Sequence, residues 1–138
     1  MSELRWFWRE KLYVPSTYTA NAVDPVYSVK AGDLVGVILC RTVEVFDGSG
    51  TAAKFELGDG NDADRYLDDG ELEETSISAA TSYVRAAGAS GGSYVLYRNF
   101  LYPSDDTIDV NFTAATGADG TTGKVAIKIA IARQVWTA

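Results

Sequence analysis

Histidine is absent from the chain, and cysteine and methionine occur once each. Without histidine there is no Ser-His-Asp or Cys-His mechanism and no imidazole metal ligand. A single thiol, Cys40, makes no disulfide within the chain and no cysteine-rich zinc site. It ends the apolar run Leu34–Cys40 with only Arg41 beside it, so it is expected as a small buried hydrophobe, not a reactive thiolate. That run has seven residues, against the roughly 20 a membrane-spanning helix needs, so no membrane partner is expected. Arg5, Arg9, Glu10 and Lys11 interrupt the N-terminal apolar residues, and no secretion signal is expected there. Basic residues are also scarce: 12 Lys and Arg stand against 19 Asp and Glu, a net charge of −7. That balance argues against a binder of nucleic-acid phosphates.

What remains reads as β structure. The 138 residues suit one compact domain. Apolar residues recur with period 2, between clusters of Gly, Thr, Ser and Asp. In Thr107–Ala114, Ile108, Val110, Phe112 and Ala114 share a face opposite Thr107, Asp109, Asn111 and Thr113. In Lys124–Trp136, Val125, Ile127, Ile129, Ile131 and Val135 share a face. The glycine-bearing stretch 115–123 between them predicts a hairpin with a wide turn. Further strands are predicted over Val26–Lys30, Leu34–Phe46 (with a bulge or close approach at Gly36), Thr51–Leu57 and Ser93–Tyr102. A helical turn is expected at Glu71–Ser76, and a strand or irregular segment at Ile77–Ala87. Seven or eight strands with turn signals every 8–12 residues predict an all-β, single-domain antiparallel β-sandwich or jelly roll.

The acidity is local. Residues 56–74 hold nine acidic side chains against Arg65 alone, a net −8, and the rest of the chain sums to +1. Hard cations take several oxygen ligands, so Asp59, Asn61, Asp62 and Asp64 are candidate calcium ligands. The EF-hand spacing fails at Ala63, and the Gly58-Asp59-Gly60-Asn61-Asp62 echo of a calcium β-helix repeat lacks the next nine-residue repeat. A carboxylate pair for glycoside hydrolysis has no aromatic sugar platform nearby except Tyr66. The plain expectation is a solvated acidic loop over 58–74. Gly123-Lys124 does not complete a phosphate-binding loop, because Ala118 and Val125 stand where that motif needs Gly and Ser/Thr. No catalytic residue and no cofactor are assigned.

The first 25 residues differ in kind. They hold Trp6 and Trp8, two of the three tryptophans, alternating with Arg5, Phe7 and Arg9, and are followed by Tyr13 and Tyr18. Two readings stand: an edge strand packed on the core, or an extended arm reaching a neighbouring subunit. Trp, Tyr and Arg are the residues enriched at interface hot spots. The chain is therefore divided into an aromatic arm over 1–25 and a sandwich over 26–138.

Val43–Thr51 (Val-Glu-Val-Phe-Asp-Gly-Ser-Gly-Thr), Phe55–Leu67 and Asp106–Phe112, followed by a Gly-rich turn and Gly123-Lys124-Val125-Ala126-Ile127, form an ordered set. In these pieces the chain resembles small jelly-roll phage virion proteins of the capsid decoration (cement) type. The resemblance covers about residues 26–132. It implies a non-enzymatic homotrimer that binds and stabilises the major capsid protein lattice on the capsid exterior, and is made in the host cytoplasm. Leu4, Trp6, Phe7, Trp8 and Tyr13 are the candidates for contact with capsid or neighbouring subunit. The alternatives are a tail, neck or head-fibre component, and a calcium- or carbohydrate-binding β-sandwich module.

Overall fold

A computed structural model of the chain describes residues 2–51, 53–67 and 93–136. They form seven strands: β1 (Ser2–Tyr13), β2 (Ala22–Val29), β3 (Leu34–Glu44), β4 (Lys54–Asp59), β5 (Ser93–Leu101), β6 (Asp106–Thr113) and β7 (Lys124–Trp136). A four-stranded sheet has the order β1-β7-β3-β5, and a three-stranded sheet the order β2-β6-β4. All pairings are antiparallel. The protein is an all-β sandwich, as the period-2 pattern predicts. The expected elements at Glu71–Ser76 and Ile77–Ala87 lie outside the described residues.

Among the described residues, each strand lies in the opposite sheet from the one before it. The pairs β1/β7, β2/β6 and β3/β5 are nested, as in one long hairpin folded over so that alternate pairs fall in opposite sheets. The bonds β3/β7 and β4/β6 then close each sheet.

This arrangement overturns the predicted hairpin of the last two strands. β6 lies between β2 and β4, β7 lies between β1 and β3, and the two are not paired. Both strands have one wholly apolar face. Facing each other across a gap of about 10 Å, typical of stacked sheets, lets both faces be buried at once. The stretch 114–123 spans that gap. It is locked to the loop that follows β3: Asp47 accepts bonds from the Thr121 backbone N–H (2.6 Å), the Thr121 hydroxyl (2.7 Å) and the Thr122 N–H (2.9 Å). Asp119 accepts from the N–H and hydroxyl of Ser49, both at 2.7 Å.

The core is the space between the sheets. Ile38, Cys40, Ile127, Ile129 and Ile131 meet Leu57, Ile108, Val110 and Phe112, with Val26 and Val29 at one end. Cys40 is buried as expected, and burial pushes its thiol up to about 12. Thr42 is fully buried there, and its hydroxyl has no hydrogen-bond partner.

Of the two readings of the N-terminal segment, the structure holds the edge strand. Ser2–Tyr13 pairs with β7 along its whole length, and the expected boundary at 25/26 falls inside β2.

Candidate functional site: the outer face of the four-stranded sheet

The register of β1 against β7 decides which side chains of β1 reach solvent. Directly opposed residues of an antiparallel pair lie on the same face of the sheet. Ile127, Ile129 and Ile131 point into the core, so their partners Lys11, Arg9 and Phe7 share that inner face. Ala126, Ala130 and Ala132 point outward, and their partners Leu12, Trp8 and Trp6 do the same. The bulkiest apolar residues of β1 therefore face away from the core. Leu4, Trp6, Trp8 and Leu12 are 55, 54, 52 and 49% exposed.

Small residues on the neighbouring strands make this tolerable. Ala126, Ala130 and Ala132 are buried although they point outward, because larger outer-face side chains cover them. Next to them, β3 carries Gly36 at a register shift between Val35 and Val37. A Cβ on Gly36 would stand 2.7 Å from both Cη2 and Cζ3 of Trp6, so the absence of a side chain there is what seats the indole. Lys128 places its ammonium 5.1 Å from the centre of the Trp8 ring. Leu101 on β5 (61% exposed) extends the apolar surface to the other edge, and Trp136 (74%) extends it along β7, opposite Ser2. Apolar residues scattered singly on a surface carry little meaning, but a contiguous set on one face marks an interaction site. The opposite outer face, on the three-stranded sheet, is polar among the described residues apart from Val23 and Pro25: it presents Ser28, Glu56, Thr107, Asn111 and Thr113, with Asp109 buried beneath.

Of the five expected contact residues, Leu4, Trp6 and Trp8 come together on this face. Phe7 and Tyr13 do not. Phe7 turns inward, with the guanidinium groups of Arg9 and Arg133 at 5.2 and 5.4 Å from its ring centre. Tyr13 is 3% exposed and donates its hydroxyl to Asp24 Oδ2 at 2.7 Å. Leu12, Leu101 and Trp136 belong to the face and were not singled out from sequence. Leu12 shares the even spacing of Trp6 and Trp8, a signal that was there to read. Leu101 and Trp136 lie far along the chain, and only strand order brings them in.

The calcium candidates have different surroundings. Asp59 was expected in a solvated loop, but it is 5% exposed and lies between the sheets. Its carboxylate accepts bonds from Arg65 Nε, from the Tyr102 hydroxyl (2.9 Å) and from the backbone N–H groups of Asn61 and Asp62 (both 3.0 Å). With the Tyr102 proton committed to Asp59, Tyr66 donates to Tyr102 across 2.6 Å. The Arg65 guanidinium stacks 3.6 Å above the Phe100 ring centre, and Phe100 meets Tyr102 edge-on. Burial opposes the charge on Asp59, but Arg65, Tyr102 and the two N–H groups outweigh it and hold the carboxyl below its ordinary range. Asp62 contributes a backbone carbonyl, which accepts from Asp59 N–H at 2.8 Å. Asn61 reaches Asp106, and Asp64 is exposed. The oxygens of Asp59 are thus taken by donors. Among the described residues, no three acidic or thiol side chains stand together as a metal-ligand set.

No family model matches the chain, and no curated protein matches it significantly. Two solved structures share its fold. One is a chain of the acidic stable capsid structure of Helicobacter pylori bacteriophage KHP30, with a TM-score of 0.62 and 10% identity over 99% of this chain and 100% of that chain. The other is a chain of the capsid asymmetric unit of cyanophage Pam1, with a TM-score of 0.59 and 16% identity over 96% of this chain and 86% of that one. At these identities the likeness is one of fold.

Proposed function

We propose that the protein is a non-enzymatic structural component of a bacteriophage capsid. In this reading it is a decoration protein that sits as a homotrimer on the outside of the major capsid protein lattice. The observation that carries the proposal is the near end-to-end likeness in fold to chains of two phage capsids. The match spans nearly the whole of both chains, so it concerns capsid chains of about this size and not a domain inside a larger one. The strand order supports the jelly-roll reading. Nested antiparallel pairs whose members alternate between two sheets are what rolling one long hairpin produces, and eight strands would complete two sheets of four.

The surfaces suit the role. One outer face is aromatic and apolar and the other is polar, so the molecule can seat on a shell by the first and meet water with the second. Leu4, Trp6 and Trp8 form the seat. A protein that binds the assembled lattice but not its loose subunits stabilises the lattice by mass action, about 2.7 kcal/mol per site at a free concentration 100 times Kd. Such a role needs no catalytic group.

The test is sedimentation of purified protein with undecorated heads. The wild type is expected to pellet with the heads in hundreds of copies. Trp6→Ser/Trp8→Ser is expected to stay in the supernatant with its fold retained, because half-exposed side chains contribute little to the core. Wild-type protein left in the supernatant would overturn the reading, and six or twelve copies per particle would move it to the tail or neck.

A further inference from the structure

We propose that β1 is also an interface between two copies of this chain, paired antiparallel about a two-fold axis through Trp6. The inference goes beyond the capsid reading and does not depend on it. β1 bonds β7 on one side, and among the described residues no strand covers its other side. Natural sheets protect such edges by keeping them short, by bulging them, or by placing proline or charged side chains on them. Charges of both signs protect least, because a second strand can pair them. β1 is 12 residues long, lacks proline, and carries both signs in Glu3, Arg5, Arg9, Glu10 and Lys11.

Those charges select a register. About a two-fold axis normal to the sheet, a residue faces one whose number adds to a constant even sum, so Trp faces Trp side and core side faces core side. Like charges directly opposite one another are destabilising. Centring the pair on residue 5 opposes Arg5 to itself. Centres at 7 and 8 oppose Arg5 to the partner's Arg9 and to the partner's Lys11 respectively, and a centre at 9 opposes Arg9 to itself. Centres at Leu4 and at Trp6 oppose no like charges, but within β1 the first pairs only residues 2–6 and the second pairs residues 2–10, so the centre at Trp6 is the one that joins most of the strand. There Glu3 meets the partner's Arg9, Arg5 meets the partner's Phe7, and Leu4 meets the partner's Trp8. Each contact occurs twice. The two four-stranded sheets become one of eight strands, and their apolar outer stripes join. If copies already form the proposed trimer through other surfaces, the pairing joins two trimers, and the number of chains is again even.

Analytical ultracentrifugation of the full chain, without heads, tests this. The wild type is expected as a particle with an even number of chains that dissociates by halves on dilution. Arg9→Glu sets two pairs of carboxylates opposite each other and is expected to weaken pairing roughly tenfold. The exchange Glu3→Arg/Arg9→Glu is expected to restore it. Trp6→Cys tests the register separately: mild oxidation is expected to cross-link Trp6→Cys into pairs and to leave Leu4→Cys uncross-linked. An odd number of chains, pairing unaffected by Arg9→Glu, or equal cross-linking of the two cysteine variants would overturn the proposal.

Discussion

Removing the Asp59 carboxylate tests how the sandwich holds its acidic loop. Asp59 is the common acceptor for Arg65, Tyr102 and two backbone N–H groups, and its side chain is fully buried. In Asp59→Ala the Arg65 guanidinium, only 21% exposed and stacked on Phe100, keeps its charge without a counter-ion. The Tyr102 hydroxyl loses its acceptor between the sheets. Breaking one partner out of a buried pair costs about 3–5 kcal/mol. A domain of this kind has roughly 5–15 kcal/mol in total, so the variant should lose a large fraction of its stability. Tyr102→Phe keeps the ring and its edge contact and removes one hydrogen bond, which costs about 1–2 kcal/mol. The two losses share a bond, so the double variant should lose less than their sum. Urea unfolding monitored by circular dichroism measures all three. A cost below about 1 kcal/mol for Asp59→Ala, or strict additivity, would refute the network. The pH dependence has a definite sign. The folded Asp59 carboxyl lies below its ordinary value of 3.8, so its stabilisation is present above that pH and fades as pH falls through the lower folded value. Asp47, held down to about 2 by Thr121 and Thr122, adds to the same acid-side loss. Unfolding midpoints should therefore be flat above pH 5 and fall below pH 4, and the fall attributable to Asp59 should vanish in Asp59→Ala.

Two further changes probe the core and the docking face. Thr42→Val replaces a fully buried hydroxyl that has no partner with a methyl of the same shape, so the urea midpoint should rise by an amount worth about 1 kcal/mol. Gly36→Val puts a side chain where the Trp6 ring lies. Trp6 is half exposed and can swing away, so stability should fall by only about 1 kcal/mol, while tryptophan emission shifts to the red and attachment to heads weakens.

The strands were legible where a single face is apolar. Lys124–Trp136 reads directly from its isoleucines, and Thr107–Ala114 differs from β6 by one residue at each end. Their pairing was not legible, because alternation says which side of a strand is buried and nothing about whether the buried sides lie side by side or face to face. Asp59 was misplaced for a related reason. Nine acids within 19 residues read as solvated, and which of them Arg65 cancels is settled only when Tyr102 and Phe100 arrive from a distant part of the chain. The N-terminal strand holds the most instructive inversion. On pattern alone, Leu4, Trp6, Trp8 and Leu12 would be turned inward and Arg9 and Lys11 outward. The isoleucines of β7 prevent this, because a one-residue slip of β1 that buried the tryptophans would set them against Ile127, Ile129 and Ile131 in a space already filled. The alanines of β7 and Gly36 of β3 supply the shallow outer surface that indole rings can lie on. Two strands distant in sequence thus leave vacant on the outside the volume that β1 covers. A monomer built only for its own stability would put the larger side chains on β7 and smaller ones on β1. The reverse arrangement leaves half of each indole exposed, and burying that half requires a second surface.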